Sequence, residues 1–325
     1  MRAVAQARYG GPDVLEVRET EQPGPTGDQV VVRVRAASVN ARDWHVMRGD
    51  PYVARLMDPG SFGLRAPKNV LGTDFAGVVE AVGPDVTRLK PGDEVYGEAP
   101  GAFAEYVVAP ESVVDDKPAN LTFEQAAAMP LAANTALTGL RDVAQVKAGQ
   151  RLVINGASGG VGTFAVQIAK ALEAHVTAVC STRNVDLMRS LGADQVVDYS
   201  RDDFTRQRYD VVLDLVGNRS LGDLRRALTP EGVLVLSGGG VFRGGSVFGP
   251  VGLIMRGALL SRFVRQRIVT FDAKPSVDSL TALRTMVEAR QLIPAIDRTY
   301  PLAEIAEALR YVETEHARAK VVITV

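Results

Sequence analysis

The chain has little cysteine and little histidine. Its 325 residues include 1 Cys and 3 His, so an internal disulfide and a four-thiolate zinc site are both excluded. A catalytic zinc ion needs three Cys, His or acidic ligands, and His45, His175 and His316 lie far apart in segments with different predicted structures. The sequence therefore predicts a protein without zinc. Cys180 lies within a predicted strand, which favours a packed core residue over a nucleophile.

Long apolar runs and clusters of positive charge are also missing. The N-terminal segment MRAVAQARYGGPDVLEV has no apolar core of a signal peptide, and no stretch approaches the roughly 18 apolar residues that a membrane span needs. The formal net charge is -1 and Lys and Arg are dispersed along the chain, which argues against nucleic acid or an anionic membrane as a partner. We therefore expect a cytoplasmic protein that binds neither nucleic acid nor a membrane.

The length and the pattern of the chain indicate two domains. The first part is rich in short alternating apolar runs separated by glycine and proline turns, which predicts a compact, barrel-like β fold. From Phe123 helical segments alternate with strands such as VTAVC and VVLDLVG, as in a doubly wound parallel sheet. The final part has two predicted helices and two strands and is expected to rejoin the first domain. The predicted division is residues 1–122 with 272–325 for the β-rich domain, and 123–271 for the α/β domain.

Residues 151–183, RLVINGASGGVGTFAVQIAKALEAHVTAVCSTR, follow the order strand, glycine turn, helix, strand. In this setting a glycine turn binds a dinucleotide, because the helix N-terminus offers unpaired N–H groups and a positive dipole end to the phosphates. Gly159 is expected to let the backbone approach a pyrophosphate, and Gly162 to let the helix pack on the strand. The predicted phosphate-binding residues are Ala157, Ser158, Gly159, Gly160, Val161 and Gly162.

The end of the second strand indicates which dinucleotide binds. An NAD site usually has an Asp or Glu there to hold the ribose hydroxyls, whereas this chain has Ser181, Thr182 and Arg183. Two hydroxyl donors and a guanidinium favour the extra phosphate of NADPH. Tyr199 is expected to add a phenol to the same pocket. The alternative is that Arg183 is a solvated residue at a helix start and Tyr199 a half-buried residue at a strand end.

Several motifs together resemble the medium-chain dehydrogenase/reductase superfamily, across nearly the whole chain. They include ASVNARDWHVMRG, LGTDFAGVVEAVG, LKPGDEVYG, GAFAEYVV, NGASGGVG, LGADQVVDY, TYPLAEIAEAL and HARAKVVITV. The chain is most similar to the zinc-independent quinone oxidoreductase branch. This resemblance implies an α/β protein with a GroES-like catalytic domain and a Rossmann cofactor domain. Ala157 and Ala319 replace glycines of the common pattern, which should not abolish binding.

The resemblance also implies where the chemistry occurs. Zinc ligands of the metal-dependent relatives fall where this chain has Asn40 and Thr73. In related enzymes the loop of Asn40, Asp43 and His45 runs beside the nicotinamide, so we expect Asn40 to donate to the substrate oxygen, His45 to relay a proton and Asp43 to orient the loop. Alternatively, Asn40 and Asp43 form a turn and His45 lies on a helix face.

Further cofactor contacts are expected on the nicotinamide side. By resemblance, Thr135 approaches the nicotinamide; the alternative is a helix-capping role. Ser237, Gly238 and Gly239 follow a predicted strand at its carboxyl end, where ligands bind in open α/β sheets. Lys320 in the last motif is either near the cofactor or a solvated surface lysine.

These features predict an enzyme that transfers a hydride from NADPH to a small hydrophobic quinone or an α,β-unsaturated carbonyl. An apolar lid is expected over residues 44–67, and the stretch VFGPVGLIMRGALL is expected to form a pocket wall or a dimer-facing helix. By resemblance we expect a homodimer. Two alternatives remain open: a zinc-independent, NADP-dependent dehydrogenase of a specialised alcohol, and a non-catalytic NADPH-binding protein.

Overall fold

The computed structural model describes residues 1–57, 62–63, 66, 71–238, 245–314 and 317–325. The chain divides into two units. Unit 1 comprises Met1–Asn134, Lys274–Arg290 and Pro294–Val325, and unit 2 comprises Thr135–Ala273 and Gln291–Ile293. None of the helices in the described ranges is long and apolar enough to cross a membrane.

The regular elements follow one another along the chain in this order. The first part contains β1 (Arg2–Gln6), β2 (Leu15–Glu19), β3 (Gln29–Val39), α1 (Ala41–Arg48), α2 (Ala54–Met57), β4 (Asp74–Val82), β5 (Glu94–Glu98), β6 (Tyr106–Pro110), β7 (Val114–Asp116), α3 (Phe123–Ala127) and α4 (Pro130–Leu137). The middle contains β8 (Arg151–Asn155), α5 (Gly160–Ala171), β9 (His175–Cys180), α6 (Val185–Ser190), β10 (Gln195–Asp198), β11 (Tyr209–Asp214), α7 (Leu221–Arg226), β12 (Leu228–Leu236), α8 (Gly249–Leu260) and β13 (Arg267–Thr270). The last part contains α9 (Val277–Glu288), β14 (Ile296–Pro301), α10 (Ile305–Thr314) and β15 (Lys320–Thr324). A π-helix over Thr138–Ala144 follows α4, and short 3-10 turns cover Pro12–Val14, Glu111–Val113, Thr182–Asn184, Phe204–Arg206 and Leu302–Glu304.

Unit 1 is built around the long strand β3. Its sequence QVVVRVRAASV places β-branched residues in the interior, and most of its length is buried. It pairs antiparallel with β4, β6 and β15, in a sheet of order β14-β15-β3-β4-β5-β7. Phe75, Tyr96 and Phe103 are fully buried in this unit. Strand β15 from the end of the chain therefore lies beside β3 from its beginning.

Unit 2 is a parallel sheet of order β10-β9-β8-β11-β12-β13. The strand ends are in register: Asp198 pairs with Cys180, and Asn155 pairs with Asp214, which pairs with Leu236. The segments that follow these strands therefore leave the sheet at one edge, the position where open α/β sheets bind ligands. The two units confirm the predicted fold class, a β-rich GroES-like part with a Rossmann-type sheet.

The unit boundary differs from the predicted one. The sequence placed it after residue 122, whereas the structure divides the chain after Asn134, within α4. Helix α3 begins after a capping box of Thr122 and Gln125 and packs on β3 and β4. Because an alanine-rich helix suits either kind of domain, its composition does not indicate which core it covers. The return to unit 1 begins at Lys274 rather than 272.

Candidate functional site

The glycine turn of unit 2 joins β8 to α5. Gly156 has φ +90°, and a Cβ on Gly162 would lie 2.3 Å from the carbonyl oxygen of Gly156, so α5 packs directly on the turn and leaves no room for a side chain there. A Cβ on Gly159 would lie 3.5 Å from the same oxygen, an ordinary contact. The two glycines therefore meet different steric demands.

The N-terminus of α5 is suited to bind an anion. Its N-cap is Gly159, and no described side chain caps it, so the first N–H groups of the helix are available to phosphate oxygens. Ser158 to Val161 are partly exposed. Ala157 differs from these residues, because it is fully buried and its N–H donates to the Val179 carbonyl at 3.0 Å. Its predicted contact with phosphate therefore lacks a free backbone donor.

Asn184 connects the glycine turn to the end of β9, a role that the sequence did not predict. Its Nδ2 donates to Ser158 Oγ at 2.9 Å and to Ser181 Oγ at 3.3 Å. Because both hydroxyl oxygens accept these bonds, their protons remain available to other acceptors, such as phosphate oxygens. Asn184 is 3% exposed, and its Oδ1 has no hydrogen-bond partner among the described residues. The residues present fit a phosphorylated dinucleotide.

A carboxylate lies beside the predicted pocket for the 2′-phosphate. Asp198 ends β10 next to the end of β9, and Thr182 Oγ1 donates to its Oδ2 at 2.5 Å. Hydrogen bonds from Thr182 and Ser200 hold the pKa of Asp198 below its usual range. The sequence signal for cofactor choice lies at the end of β9, where a carboxylate is missing, whereas Asp198 comes from the neighbouring strand. The expectation that Thr182 offers its hydroxyl to a phosphate is corrected, since Asp198 accepts that proton.

Arg183 and Tyr199 lie near the same strand ends and are exposed, Tyr199 at 56%. The backbone N–H of Tyr199 donates to the Cys180 carbonyl at 3.1 Å, which holds it beside the residues that follow β9. Cys180 itself is 1% exposed, and burial raises the pKa of its thiol to about 11. A thiol at this pKa is a packing residue rather than a nucleophile at neutral pH.

Ser237, Gly238 and Thr135, which were also predicted to contact the cofactor, are each partly exposed. Ser237 and Gly238 follow β12 and are partly exposed, and the Ser237 N–H donates to the Asp214 carbonyl at 3.1 Å. Gly239 lies outside the described residues. Thr135 is half-buried within α4. Asp214 is buried at the end of β11 and accepts from Asn155 Nδ2 at 2.8 Å, so it fixes the start of the glycine turn.

Unit 1 contains a buried polar group that we call the Asn40 cluster; its members are Ser38, Asn40, Asp43, Asp74 and Lys320. Three strand ends bring it together. Asn40 lies between β3 and α1, Asp74 begins β4 opposite Ser38, and Lys320 begins β15. Lys320 Nζ donates to Asn40 Oδ1 at 2.6 Å, and Asn40 Nδ2 donates to Asp74 Oδ2 at 2.9 Å. Lys320 is 2% exposed, so the alternative of a solvated surface lysine is wrong.

Burial dominates the electrostatics of the Asn40 cluster. It lowers the pKa of Lys320 and raises the pKa of Asp74, while their attraction across 3.6 Å opposes both shifts. Burial also raises the pKa of Asp43 to about 7. The Asp43 carboxyl accepts the Asn40 backbone N–H at 2.7 Å, which orients the start of α1.

His45 has a defined tautomer. Its Nδ1 lies 2.7 Å from the Asp50 carbonyl oxygen, and since a carbonyl only accepts, Nδ1 carries the hydrogen. Burial lowers the pKa of the ring. A neutral His45 with Nδ1–H accepts a proton at Nε2 rather than supplying one, which disfavours the donating step of the predicted relay at neutral pH.

The predicted lid is only partly described. Trp44 is 4% exposed and stacks on His45 with ring centroids 3.6 Å apart, so it packs in unit 1, whereas Tyr52 and Leu56 are 48% and 73% exposed. The rest of the predicted lid includes residues 58–61, 64–65 and 67, outside the described part of the chain. Among the described residues, no group of three His, Cys, Asp or Glu is placed to hold a metal ion.

Comparison with known proteins adds independent information. Residues 26–119 match the model of the alcohol dehydrogenase GroES-like domain, and residues 191–323 match the zinc-binding dehydrogenase model. A human protein named NAD(P)H oxidoreductase RTN4IP1, mitochondrial, is 36% identical over 92% of this chain and 82% of its own length. An Arabidopsis thaliana protein named NADPH-dependent alkenal/one oxidoreductase, chloroplastic, is 33% identical over 99% of this chain and 79% of its own length.

A solved structure has the same fold. The quinone oxidoreductase from Coxiella burnetii superimposes with a TM-score of 0.88 at 30% identity and covers 100% of this chain and 99% of that one. The names of the relatives also contradict one expectation. The human and Arabidopsis proteins are named mitochondrial and chloroplastic, so the prediction of a cytoplasmic protein is wrong.

Proposed function

The chain belongs to the medium-chain dehydrogenase/reductase superfamily, in its zinc-independent quinone oxidoreductase-like branch, and on this premise we propose that it reduces quinones or α,β-unsaturated carbonyls with NADPH. That it is an NAD(P)H-dependent oxidoreductase follows from its relatives. What we propose beyond this is that the cofactor is NADPH rather than NADH and that the acceptor is a quinone or an α,β-unsaturated carbonyl. The observation that carries it is the linked pair Ser158 and Ser181, whose hydroxyl protons Asn184 leaves free.

Three groups of residues would hold NADPH. The first N–H groups of α5 and the Ser158 hydroxyl suit the pyrophosphate, because all are donors at a positive helix end. Ser181, Arg183 and Tyr199 suit the 2′-phosphate, with the Arg183 guanidinium as its charged partner. We assign Thr135, Ser237 and Gly238 to the nicotinamide half on the family resemblance. No metal is part of this proposal.

Bound NADPH supplies a hydride, and the acceptor's oxygen gains negative charge as the hydride arrives at a quinone or at the β-carbon of an enone. An N–H donor fixed near that oxygen stabilises the charge. Asn40 is the donor that we assign in unit 1, since its amide is buried and held by hydrogen bonds. Asp43 orients it through the Asn40 backbone N–H. The proton that completes reduction comes from solvent or from a neighbouring group.

The first experiment measures initial rates of NADPH and NADH oxidation by the chelator-treated protein, with an ortho-quinone and a 2-alkenal offered separately. We expect turnover with NADPH on at least one acceptor. Quinone turnover supports the quinone reaction, and alkenal turnover assigns the enone reaction. Measurable NADPH binding with neither reaction contradicts the proposed acceptors.

The cofactor assignment has its own test. In Arg183→Ala, NADPH binding should weaken by about 1.5 to 3 kcal/mol, because one charged contact to the 2′-phosphate is lost. NADH binding should change little, since NADH lacks that phosphate. An equal loss for both cofactors, measured by fluorescence titration, removes Arg183 from the phosphate site.

We also propose that the protein forms a homodimer through the face around α8. Met255 and Leu259 are 58% and 63% exposed and lie four residues apart within α8, so their side chains share one helix face. Phe248 and Phe263, just outside the two ends of the helix, are 53% and 78% exposed. Met255→Glu with Leu259→Glu should convert the dimer to a monomer in sedimentation. An unchanged mass would exclude this face.

A further inference from the structure

The amide of Asn40 has only one allowed orientation. Lys320 Nζ lies 2.6 Å from one end of the amide and Asp74 Oδ2 lies 2.9 Å from the other. An ammonium only donates and an ionised carboxylate only accepts, so the amide oxygen faces Lys320 and the amide nitrogen faces Asp74. A flipped amide would place a donor against a donor and an acceptor against an acceptor. Lys320 and Asp74 therefore act together as a clamp on the Asn40 side chain.

Both members of this clamp are fixed by bonds of their own. Lys320 Nζ also donates to the Val39 carbonyl at 3.2 Å. Asp74 accepts from Ser38 Oγ at 2.9 Å and from the Leu131 backbone N–H at 3.1 Å. Lys320 and Asp74 are at most 2% exposed, so water does not compete for their bonds. The clamp is thus rigid.

One of the two amide hydrogens of Asn40 has only a weak hydrogen-bond partner. Nδ2 carries two hydrogens, and Asp74 takes one of them. Thr73 Oγ1 lies 3.5 Å from Nδ2, at the outer limit of a hydrogen bond. Asn40 as a whole is 5% exposed. The second amide hydrogen is therefore the one that a substrate oxygen would accept.

We propose that Lys320 and Asp74 are positioning residues that hold the Asn40 amide with one N–H directed to the oxygen of the acceptor. This inference rests on the proposed function and deepens it, since it names what orients the donor. The Lys320 charge at Oδ1 also polarises the amide, which strengthens its N–H as a donor in the buried setting. Neither Lys320 nor Asp74 contacts the acceptor, so their effect passes through Asn40.

The test is a double-mutant cycle of Asn40→Ala and Lys320→Met, with kcat, the acceptor KM and Tm measured for each protein. Asn40→Ala should lower kcat about a hundredfold, the cost of one lost donor to a developing oxyanion. Lys320→Met in the otherwise wild-type protein should lower kcat about ten- to a hundredfold, because the amide is no longer held in place. In the Asn40→Ala background Lys320→Met should leave kcat nearly unchanged while still lowering Tm.

A purely structural lysine gives a different pattern. In that case Lys320→Met lowers kcat by the same factor in both backgrounds, which overturns the proposal, as does an Asn40→Ala variant with wild-type kcat. If the wild-type enzyme oxidises NADPH with neither acceptor, the proposed function has failed instead, and the two failures are therefore distinguishable.

Two further variants separate a loss of catalytic rate from a loss of protein stability. Lys320→Met alone leaves Asp74 as a buried unpaired charge and could prevent folding, so Lys320→Met with Asp74→Asn removes both charges together. This pair should fold and lose kcat as the single variant does, and a folded pair with wild-type kcat overturns the proposal. The control is Glu313→Gln, which breaks the ion pair between Glu313 and Arg48 on α1. It should lower Tm without changing kcat.

Discussion

Asp198 and Arg183 place opposite charges near the site proposed for the 2′-phosphate of NADPH. Thr182 and Ser200 donate hydrogen bonds to the Asp198 carboxylate and keep it ionised. A carboxylate in this position attracts ribose hydroxyls and repels a phosphate. The cofactor preference of the protein therefore depends on the balance between Arg183 and Asp198, rather than on the residues after β9 alone.

Replacing Asp198 with Asn should shift the preference toward NADPH. The amide keeps the shape and a hydrogen-bond acceptor for Thr182 but removes the negative charge. The ratio of kcat/KM for NADPH to that for NADH should therefore rise about fivefold, as expected for a charge interaction near the protein surface. Steady-state kinetics with both cofactors at low salt provides the measurement, and the gain should shrink at high salt because exposed charges are screened.

Asp194, just before the same strand, provides a matched control. Asp194 precedes the other end of β10 and pairs with Lys170, so Asp194→Asn removes a similar charge far from the strand ends. It should leave the cofactor ratio unchanged. If both variants raise the NADPH to NADH ratio equally, the effect of Asp198→Asn comes from the net charge of the protein and not from a contact near the cofactor.

The turn between β8 and α5 has two roles, packing of the helix on the turn at Gly162 and binding of the pyrophosphate at Gly159. Replacing each glycine with alanine tests the two roles separately. Gly162→Ala would place a Cβ 2.3 Å from the Gly156 carbonyl oxygen and should destabilise unit 2 by about 1 to 3 kcal/mol through overpacking. Gly159→Ala meets only an ordinary contact at 3.5 Å, and its φ of −81° suits alanine. Its stability should stay within about 0.5 kcal/mol of wild type.

Gly159→Ala, which should leave stability nearly unchanged, should weaken cofactor binding. A methyl group at this position occupies space beside the first N–H groups of α5, so the pyrophosphate cannot approach as closely, and NADPH affinity should fall about tenfold. Thermal unfolding without cofactor and fluorescence titration with NADPH measure the two effects separately. Gly159→Ala with wild-type affinity would move the pyrophosphate away from this turn.

The same turn illustrates what the sequence could predict. The helix predicted between the glycine turn and the second strand of residues 151–183 is observed over Gly160–Ala171, because its apolar spacing and flanking glycines are local signals. Lys320 and Asn40 are 280 residues apart, and no local pattern indicates that β15 lies beside β3. Asp198, which ends β10 and accepts from Thr182 after β9, was missed for the same reason. Asn184 was missed although it lies only three residues after Ser181, because its bond to Ser158 joins it to the turn after a different strand, β8. Residues that follow strands were identified, but the side chains that bind Asn40 and Thr182, namely Lys320 and Asp198, come from other strands.

On the scale of the whole molecule, the charges buried in unit 1 make stability depend on pH. Burial raises the pKa of Asp43 from 3.8 to about 7. Three charged groups face it: Asp74 on β4 raises its pKa, whereas Lys320 on β15 and Arg42 on α1 lower it. In the unfolded chain Asp43 ionises near its ordinary pKa. The folded protein therefore binds one proton more than the unfolded chain at intermediate pH.

This difference sets the sign of the effect. Because the folded-state pKa is the higher one, the contribution of Asp43 to the free energy of unfolding is fully present below about pH 4, declines as the pH rises toward 7, and is lost above that. The difference between a pKa of 3.8 and one of about 7 corresponds to at most about 4 kcal/mol of unfolding free energy. Other titrating groups also contribute to the pH dependence of the wild-type free energy of unfolding. The contribution of Asp43 is therefore obtained by comparison with a variant.

Asp43→Asn isolates it, since the amide oxygen can still accept the Asn40 backbone N–H but carries no titratable proton. The free energy of unfolding of the variant minus that of wild type should rise between pH 4.5 and pH 7 and then level off. Urea unfolding at pH 4.5, 6 and 8 measures this difference without cofactor. Parallel curves for the two proteins would mean that Asp43 titrates alike in the folded and unfolded chains, and burial would then not govern the charge of the Asn40 cluster.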